Sequence, residues 1–528
     1  MAMTRKSLGI STVSATVLIA AVLVVANLVS TRIFGRLDLT EGKIYSLSDA
    51  SRNVAAHLED PITARVFISA DLPPSLVTVR QYLLDLLSEY RAYGQGNFQF
   101  EVIAPQSAEQ ESEAQSFGIP PRQENVFRQD KVELMKVYLG LVFIHADRQE
   151  ALPAITATKG LEYDLTGAIR RVTRQSLGSI GVLANAQGPT LDAGLARLRE
   201  AVGREYRIRS VDLATGVVPA DLTVMAVIGP QSSFSDTVLY RLDQYIMRGG
   251  PVLFLLNGAL VNMQGNPQQG GGIAFPSPSN IDSLAQHYGA APTDRLVVDA
   301  RHLQIRAMQS LGFIQLPVLI DYPYFVAAAG AETDHLLGKD LERLDLLFVS
   351  PLNLKPQPEA PLTVLARSSA KSGARTLPAM VMPPVEIAAE EYNAPSQPLA
   401  VAVEGVLQSY YADSTHVPPA GFGPLFDSSF QGRSIPARLC VVGDADLATD
   451  QAMSPANEVF VLNAFDWLTR NDLLIALRSR QVQNRPLDDL DVGARSRIKW
   501  ANLFGPSLLV LVFGLVRWRR RAVAKRNE

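Results

Sequence analysis

The sequence of 528 residues predicts an α/β protein with one transmembrane helix at each end. Three observations lead to this prediction. An uncharged apolar segment lies near each terminus, the first third of the chain has a strand–helix–strand order, and a longer alternation of apolar strands and helices follows. The hydrophobic fraction of 47% against 19% charged residues is sufficient for packed cores, and the length predicts more than one domain.

Two terminal segments have the length and polarity of membrane helices. Leu8 to Val29 contains 22 residues without a charge, which is longer than the apolar region of about 7–15 residues in a cleaved signal peptide. Trp500 to Val516 contains 17 residues, and six basic residues follow it. Basic flanks favour the cytoplasmic side. The sequence therefore predicts a two-pass protein of the cytoplasmic (inner) membrane, anchored in the lipid bilayer, with both termini cytoplasmic and the main domains extracytoplasmic.

Residues 34–176 are predicted to form the first outer domain. Ile62–Ile68 alternates like a strand, and a helix with one apolar stripe follows, ending near Gly94. Phe98–Ile103 is a second strand, a strand pair comes next, and Leu161–Thr173 is a helix. This order, βαβ and then ββα, is typical of a thioredoxin-like domain. The CxxC motif of redox members is absent from the sequence, so the prediction concerns the scaffold alone.

Residues 177–482 are predicted to form a second α/β domain. Near-continuous apolar strands that alternate with helices favour a parallel sheet covered on both faces. The predicted type is flavodoxin-like or glutamine-amidotransferase-like, with long loops at 262–280 and 351–435. Residues 1–33 are then the first anchor, and residues 483–528 the second membrane helix with a basic cytoplasmic tail. The strands predicted are Ser179–Leu183, Leu222–Ile228, Pro251–Leu256 and Leu439–Gly443, and the helices are Leu191–Val202, Ser235–Arg248 and Asn457–Thr469.

Catalytic or ligand-binding residues are expected after the predicted strands, because ligands of α/β sheets bind beyond the carboxyl ends of the strands. No strand end carries a Gly-x-nucleophile-x-Gly elbow, and the six histidines show no metal-binding spacing. The acidic pair Asp444 and Asp446 is the weak metal candidate, and a metal-dependent hydrolase centred on it is the least favoured hypothesis. A solvated turn, in which one Asp caps the next element, explains the same residues and is the favoured interpretation. No catalytic or cofactor-binding residue and no cofactor are predicted.

Charge, cysteine content and missing motifs argue against several classes of partner and activity. The net charge of −3 gives no support for a nucleic-acid partner. Cys440 is the single cysteine and lies in an apolar run, so a buried and inert thiol is predicted instead of a disulfide or a nucleophile. No Walker A sequence is present, so the chain is not its own transport ATPase.

The order of several sequence blocks resembles a known family, the GldG-like auxiliary components of gliding-motility-type ABC transport systems. The blocks are Arg36–Ser48 (RLDLTEGKIYSLS), Leu161–Ile169 (LEYDLTGAI), Pro398–Gly405 (PLAVAVEG), Val442–Asp446 (VGDAD) and Asn463–Leu468 (NAFDWL). The resemblance implies a non-enzymatic subunit that works with a separate ATPase and permease. Its outer domains would then meet an envelope protein or an exported substrate.

A second hypothesis is an extracytoplasmic module that binds a sugar or a lipid. The aromatic residues Tyr322, Tyr324 and Phe325, and the pair Tyr410 and Tyr411, could line such a site. A cluster of this composition is more often part of a core.

Overall fold

A computed structural model describes most of the chain between residues 46 and 472. Within that range it leaves out residues 129–130, 174–177, 185–186, 264–271, 312–313, 340, 384, 386, 413–415 and 424–428. Beyond residue 472 it describes residues 475, 478, 497, 499, 500, 502, 504, 513 and 514.

The described residues from 46 to 173 form a four-stranded sheet, four helices and a separate hairpin. Its elements are α1 (Asp49–Ala56), β1 (Ile62–Ile68), α2 (Pro74–Tyr93), β2 (Phe98–Ile103), α3 (Ala108–Ser116), β3 (Arg122–Arg128), β4 (Lys131–Val137), β5 (Leu139–His145), β6 (Arg148–Leu152) and α4 (Leu161–Thr173).

The four-stranded sheet has the order β2-β1-β5-β6, and β3 pairs only with β4 among the described residues. Strand β1 is parallel to β2 and antiparallel to β5. Because side chains alternate along β1, Ala64 and Val66 pack in the core under α2 and α4, whereas Phe67 packs with Ala114 of α3 on the other face. Helices therefore cover both faces of this sheet. Ser48 caps α1, since its hydroxyl accepts from the backbone N–H of Ser51.

The chain from residue 179 to 468 forms a larger sheet with smaller ones around it. Its helices are α5 (Ala196–Gly203), α6 (Asp236–Met247), α7 (Ile281–His287) and α8 (Pro455–Leu468). Its strands are β7 (Ser179–Leu183), β8 (Arg207–Val211), β9 (Leu222–Ile228), β10 (Val252–Leu255), β11 (Ala259–Asn262), β12 (Ile273–Pro276), β13 (Ala290–Pro292), β14 (Arg295–Asp299), β15 (His302–Leu311), β16 (Ile314–Gly330), β17 (Leu344–Leu347), β18 (Leu352–Leu354), β19 (Leu362–Arg367), β20 (Ser372–Thr376), β21 (Ala379–Met380), β22 (Pro398–Gly405) and β23 (Ala437–Val442).

The large sheet has ten strands in the order β15-β16-β19-β22-β23-β10-β9-β7-β8, with β17 beside β16. The five strands β23, β10, β9, β7 and β8 are parallel to one another. The strands from β15 to β22 pair antiparallel, and β22 is antiparallel to β23. The predicted parallel sheet is therefore only one half of a mixed sheet, which an antiparallel half extends.

Two cores lie on the two faces of this sheet. Leu253 and Leu255 of β10 point to the side of α5 and α8, where Phe460 and Trp467 pack. Val252 and Phe254 point to the opposite side, where α6 and α7 pack. A fully apolar strand such as β10 is explained by this burial on both faces.

Several strands lie where the sequence predicted long loops. Strands β18 to β22 fall within residues 351–435, and β12 lies within residues 262–280. They form a β11-β12-β21 sheet and the pairs β13-β18 and β14-β20, besides the strands that join the large sheet. For the proline-rich stretch 351–397 the sequence predicts irregular chain with short strands, and prolines interrupt the apolar pattern that would give the bounds of those strands.

The prediction of flanking transmembrane helices is wrong, and so is the two-pass membrane location that was based on it. No helix among the described residues is long and apolar enough to cross a membrane. The segments Leu8–Val29 and Trp500–Val516 themselves lie outside the described residues, except for isolated positions from 500 to 514. The structure therefore supports a mixed α/β protein with many sheets, and it supports neither flanking transmembrane helices nor a two-pass inner-membrane location.

The chain divides into two compact units, Met1–Gln481 and Val482–Glu528. All the strands and helices named above belong to the first unit. The predicted boundary between residues 176 and 177 lies inside that unit and stays a prediction.

Candidate functional site

The candidate site is a crevice at the carboxyl ends of the parallel strands. After β7 the chain runs to β8 on one side, and it then returns to β9 on the other side of β7. Such a reversal of strand order opens a crevice between the loops that follow the two strands. The local sequence produces this arrangement because buried apolar strands end in polar residues and glycine.

The crevice has a volume of about 420 Å³ and a mostly polar lining. A smaller cavity of about 80 Å³ adjoins it, and Gln231, Asn257 and Asp446 line both. The remaining residues of the crevice are Pro189, Gly194, Gly229, Ala445, Thr449, Asp450 and Gln451. Loops after β7, β9, β10 and β23 thus contribute to one site.

Asp444 lies directly beneath the crevice and holds the turn after β23. Its side chain is fully buried, and its carboxylate oxygens accept hydrogen bonds from the backbone N–H groups of Leu347 and Asp446, both at 2.7 Å. Burial, and then the nearby charge of Asp446, raise the pKa of Asp444 well above its usual range. Both oxygens are therefore occupied by the protein's own backbone.

Asp446 is half-buried and faces the crevice, where the Asn257 side chain hydrogen-bonds to it. Asn257 also accepts from the backbone N–H of Ala445 at 2.6 Å. Burial raises the pKa of Asp446, and the bond to Asn257 opposes that effect. The two predicted aspartates are thus adjacent, but only Asp446 is presented to the crevice.

No group of three or more potential metal ligands occurs among the residues that the structure describes. A metal site at Asp444 and Asp446 stays a prediction, and the contacts of Asp444 favour the alternative, a side chain that stabilises a turn.

The aromatic residues suggested for a sugar or lipid site lie mostly in a core. Tyr322 and Tyr324 are fully buried, and their hydroxyls donate to the backbone oxygens of Val381 and Met380. Tyr411 is buried as well. The contacts of Tyr322 and Tyr324 are structural, because the hydroxyl of each has a partner within the fold.

Tyr410 belongs to a cluster that the sequence did not predict. It is half-buried, its ring centroid lies 3.6 Å from that of His416 and 5.4 Å from that of His287, and the two histidine rings lie 6.5 Å apart. The two histidines are 129 positions apart in the chain (416 − 287), so spacing rules for motifs could not detect their proximity.

A buried charge cluster joins α4 to α8, and the sequence analysis missed it. Arg478, 4% exposed, lies 2.9 Å from the carboxylate of Asp466, 1% exposed, and donates to Tyr163 of α4 at 2.7 Å. Tyr206 donates to Asp466 at 2.5 Å. Burial lowers the pKa of Arg478, but Asp466 and Tyr163 outweigh that effect and raise it overall. The guanidinium is therefore a fixed charge that connects the two halves of the first unit.

Comparisons with known proteins identify the family. A family model described as ABC-type uncharacterized transport system matches residues 178–476, and a domain of unknown function (DUF7088) matches residues 41–144. An uncharacterized protein of Borreliella burgdorferi is 21% identical over 505 residues, which cover 93% of this chain and 94% of that protein.

Among solved structures, the mmIFT52 N-terminal domain is similar to 55% of this chain over 97% of its own length, at 14% identity. The TM-score of 0.33 is too low to support any conclusion. The first family match covers more than half of the 528 residues, and it includes the ten-stranded sheet and the crevice. The chain therefore belongs to the auxiliary family described as ABC-type uncharacterized transport system.

Proposed function

We propose that this chain is a non-enzymatic accessory subunit that works with a separate ATPase and permease of an ABC transport system. The family match supports the transport role. The arrangement at the crevice supports a role through contacts, because the carboxylate of Asp444 is bonded to backbone N–H groups and Asp446 is bonded to Asn257. The gliding-motility subtype stays a resemblance and is not needed for this proposal.

The proposal predicts that function does not depend on a catalytic group in the crevice. An enzyme of this class needs a free acid, base or nucleophile at the strand ends, and it loses its activity when that group is removed. A subunit that acts through contacts does not. Asp446→Asn removes the one carboxylate that, among the described residues, lines both cavities, while it keeps a polar side chain of the same size. We expect this variant to retain its partners and its function.

Affinity purification of the full-length chain from its native cells tests the proposal. Solubilised extracts of the wild type and of Asp446→Asn are purified in parallel, and the recovered proteins are identified and quantified by mass spectrometry. We expect one ATPase and one permease in comparable amounts from both. Recovery of neither partner would contradict the proposal, and so would loss of function in Asp446→Asn with the partners still bound.

A second candidate function is the binding of a small polar molecule in the crevice. The volume of about 420 Å³ at the reversal of strand order supports it, since ligands occupy this place in α/β sheets. The polar lining suits a sugar better than a lipid. Titration with neutral monosaccharides and free amino acids, followed by protein-observed NMR, tests it. Binding that Gln231→Trp abolishes would support it, and unchanged spectra across the panel would refute it.

A further inference from the structure

An apolar strip lies on the outer face of the small β11-β12-β21 sheet. Leu260 and Phe275 are paired across β11 and β12, and paired side chains of antiparallel strands lie on the same face. Met380 of β21 is paired with Ile273, which is two positions from Phe275 along β12 and therefore shares its face. Leu260, Phe275 and Met380 are 39%, 45% and 51% exposed, and Ile273 is half-buried. These four residues are called the apolar strip below.

The opposite face of the same small sheet packs in a core. Ala259, Ala274 and Ala379 are buried there. The small side chains of these strands thus point inward and the large apolar ones outward, although burial of apolar area favours the reverse. Residues 264–271, between β11 and β12, lie outside the described residues, and their sequence QGNPQQGG contains no large apolar side chain. Contiguous exposed apolar side chains of this kind mark binding surfaces.

The smaller cavity of about 80 Å³ connects the apolar strip to the crevice. Gln231 and Asn257 line both this cavity and the crevice, and Leu260 of the strip lines the cavity. Phe348 and Pro278 line it as well. A ligand that follows this path meets polar side chains in the crevice and apolar side chains on the strip.

The lining of the crevice determines which polar group fits it. Its polar side chains are three amides, the hydroxyl of Thr449 and the carboxylates of Asp446 and Asp450, and no basic side chain lines it among the residues that the structure describes. Amide and carboxylate oxygens accept hydrogen bonds from hydroxyl groups. Carboxylates repel an anion, which disfavours a phosphate or sulfate group. The crevice therefore suits a neutral group that carries hydroxyls.

We propose that the crevice and the apolar strip together bind a single-chain amphiphile. Its neutral, hydroxylated head group lies in the crevice, and its hydrocarbon chain lies along Leu260, Phe275 and Met380. The proposal rests on the second candidate function, the binding of a small polar molecule in the crevice, and adds the chain to it. A hydrocarbon chain is the occupant of the strip because the path from the crevice reaches the strip at Leu260, and because apolar contact there removes the chain from water.

Titration of the purified full-length chain with a matched pair of glucosides, followed by protein-observed NMR, tests the proposal. Methyl β-glucoside carries the head group alone, and octyl β-glucoside, used below its critical micelle concentration, adds the chain. We expect octyl β-glucoside to bind at least about tenfold more tightly. Such a change equals about 1.4 kcal/mol, which corresponds to the burial of about two methylene groups. Octyl sulfate has the same chain and an anionic head, and it should bind at least about tenfold more weakly than octyl β-glucoside.

Substitutions separate the strip from the crevice. Phe275→Ser removes an exposed apolar side chain of the strip, and it should bring the dissociation constant of octyl β-glucoside close to that of methyl β-glucoside. Met380→Ser, on another strand, should act in the same direction. Gln231→Trp fills the crevice and should abolish the binding of both glucosides. Val217→Ser is the matched control, because Val217 is 82% exposed and lines neither cavity, and it should leave both dissociation constants unchanged.

Circular dichroism verifies that each variant is folded. Equal affinity of the wild type for the two glucosides would overturn the role of the strip and leave the crevice as a site for the head group alone. Absence of binding by both glucosides would overturn the proposal entirely. It would also be overturned if octyl sulfate bound as tightly, if binding survived Gln231→Trp, or if neither serine variant weakened it. Recovery of an ATPase and a permease is a separate measurement, so failure of this proposal is distinguishable from failure of the transport role.

Discussion

Neutralising Asp466 should destabilise the first unit strongly, because Arg478 would be left as a buried charge without its counter-ion. The two side chains are 1% and 4% exposed and lie 2.9 Å apart. Removing one partner of such a pair costs about 3–5 kcal/mol. The half of the cluster that remains includes Tyr163, which still accepts from Arg478, so we expect the lower end, about 3 kcal/mol, for Asp466→Asn.

The assay is equilibrium unfolding in urea, followed by the fluorescence of Trp467, which is 2% exposed and adjacent to the substituted residue. The matched control is Glu200→Gln, which breaks the pair with Arg204 at 3.0 Å. Those side chains are 74% and 66% exposed, so this loss should be under about 1 kcal/mol.

A double variant separates the charge from the packing. Asp466→Leu with Arg478→Met replaces the ion pair by apolar groups, and it should recover most of the lost stability, because desolvation of the pair offsets much of its attraction. If the free energy of unfolding of Asp466→Asn lies within about 1 kcal/mol of that of the wild type, as expected for the exposed control, then the cluster is hydrated and the reasoning is refuted.

Three further predictions concern separate parts of the fold. Burial, assisted by Asp294, raises the pKa of Asp282 to about 7. Between about pH 4 and 7 the folded state binds a proton that the unfolded state has lost. The free energy of unfolding should therefore fall as the pH rises through that window, by at most about 1.4 kcal/mol per pH unit. Urea titrations at several pH values should show that Asp282→Asn removes this slope, and an unchanged slope would assign it elsewhere. In Gly443→Ala the new Cβ would lie 2.1 Å from a backbone oxygen, so we expect the free energy of unfolding to fall by about 1–3 kcal/mol. Gly203→Ala is the control, because nothing lies close to its new Cβ, and it should be neutral or stabilising. Equal melting temperatures for the two variants would argue against the close approach at Gly443. Burial raises the pKa of Cys440 to about 12, so a maleimide should label it only after unfolding, and rapid labelling of the native protein would contradict its burial.

The elements that sequence analysis located correctly are those with a strong local pattern. Strand Ile62–Ile68 and helix Leu161–Thr173 have the predicted bounds. The strand alternates with a period of two residues from Ile62 to Val66, and the helix follows a period of 3.6 residues. Helix α6, predicted as Ser235–Arg248, is observed as Asp236–Met247 for the same reason.

The features that it missed depend on distant residues or on edge positions. Strand β8 has the sequence RIRSV, in which the charges of an exposed edge obscure the strand pattern. The antiparallel half of the large sheet is set by pairings such as β22 with β23, which no local pattern specifies.

The crevice illustrates the same limit. The sequence offered a solvated turn at Asp444 as one interpretation, but Asp444 is fully buried, and its carboxylate accepts from the N–H of Leu347, 97 positions away. Likewise, the prediction of membrane helices rested on hydropathy and charge alone, and no helix among the described residues is long and apolar enough to cross a membrane.

The central claim is that this chain acts by binding the core of an ABC transport system. The most direct measurement is the ATP hydrolysis rate of the co-purified ATPase–permease core, with and without saturating amounts of the purified chain. The account predicts that the chain alone hydrolyses no ATP, that it binds the core, and that it changes the core's rate to the same extent as its Asp446→Asn variant does. A core that neither binds the chain nor responds to it would contradict the account.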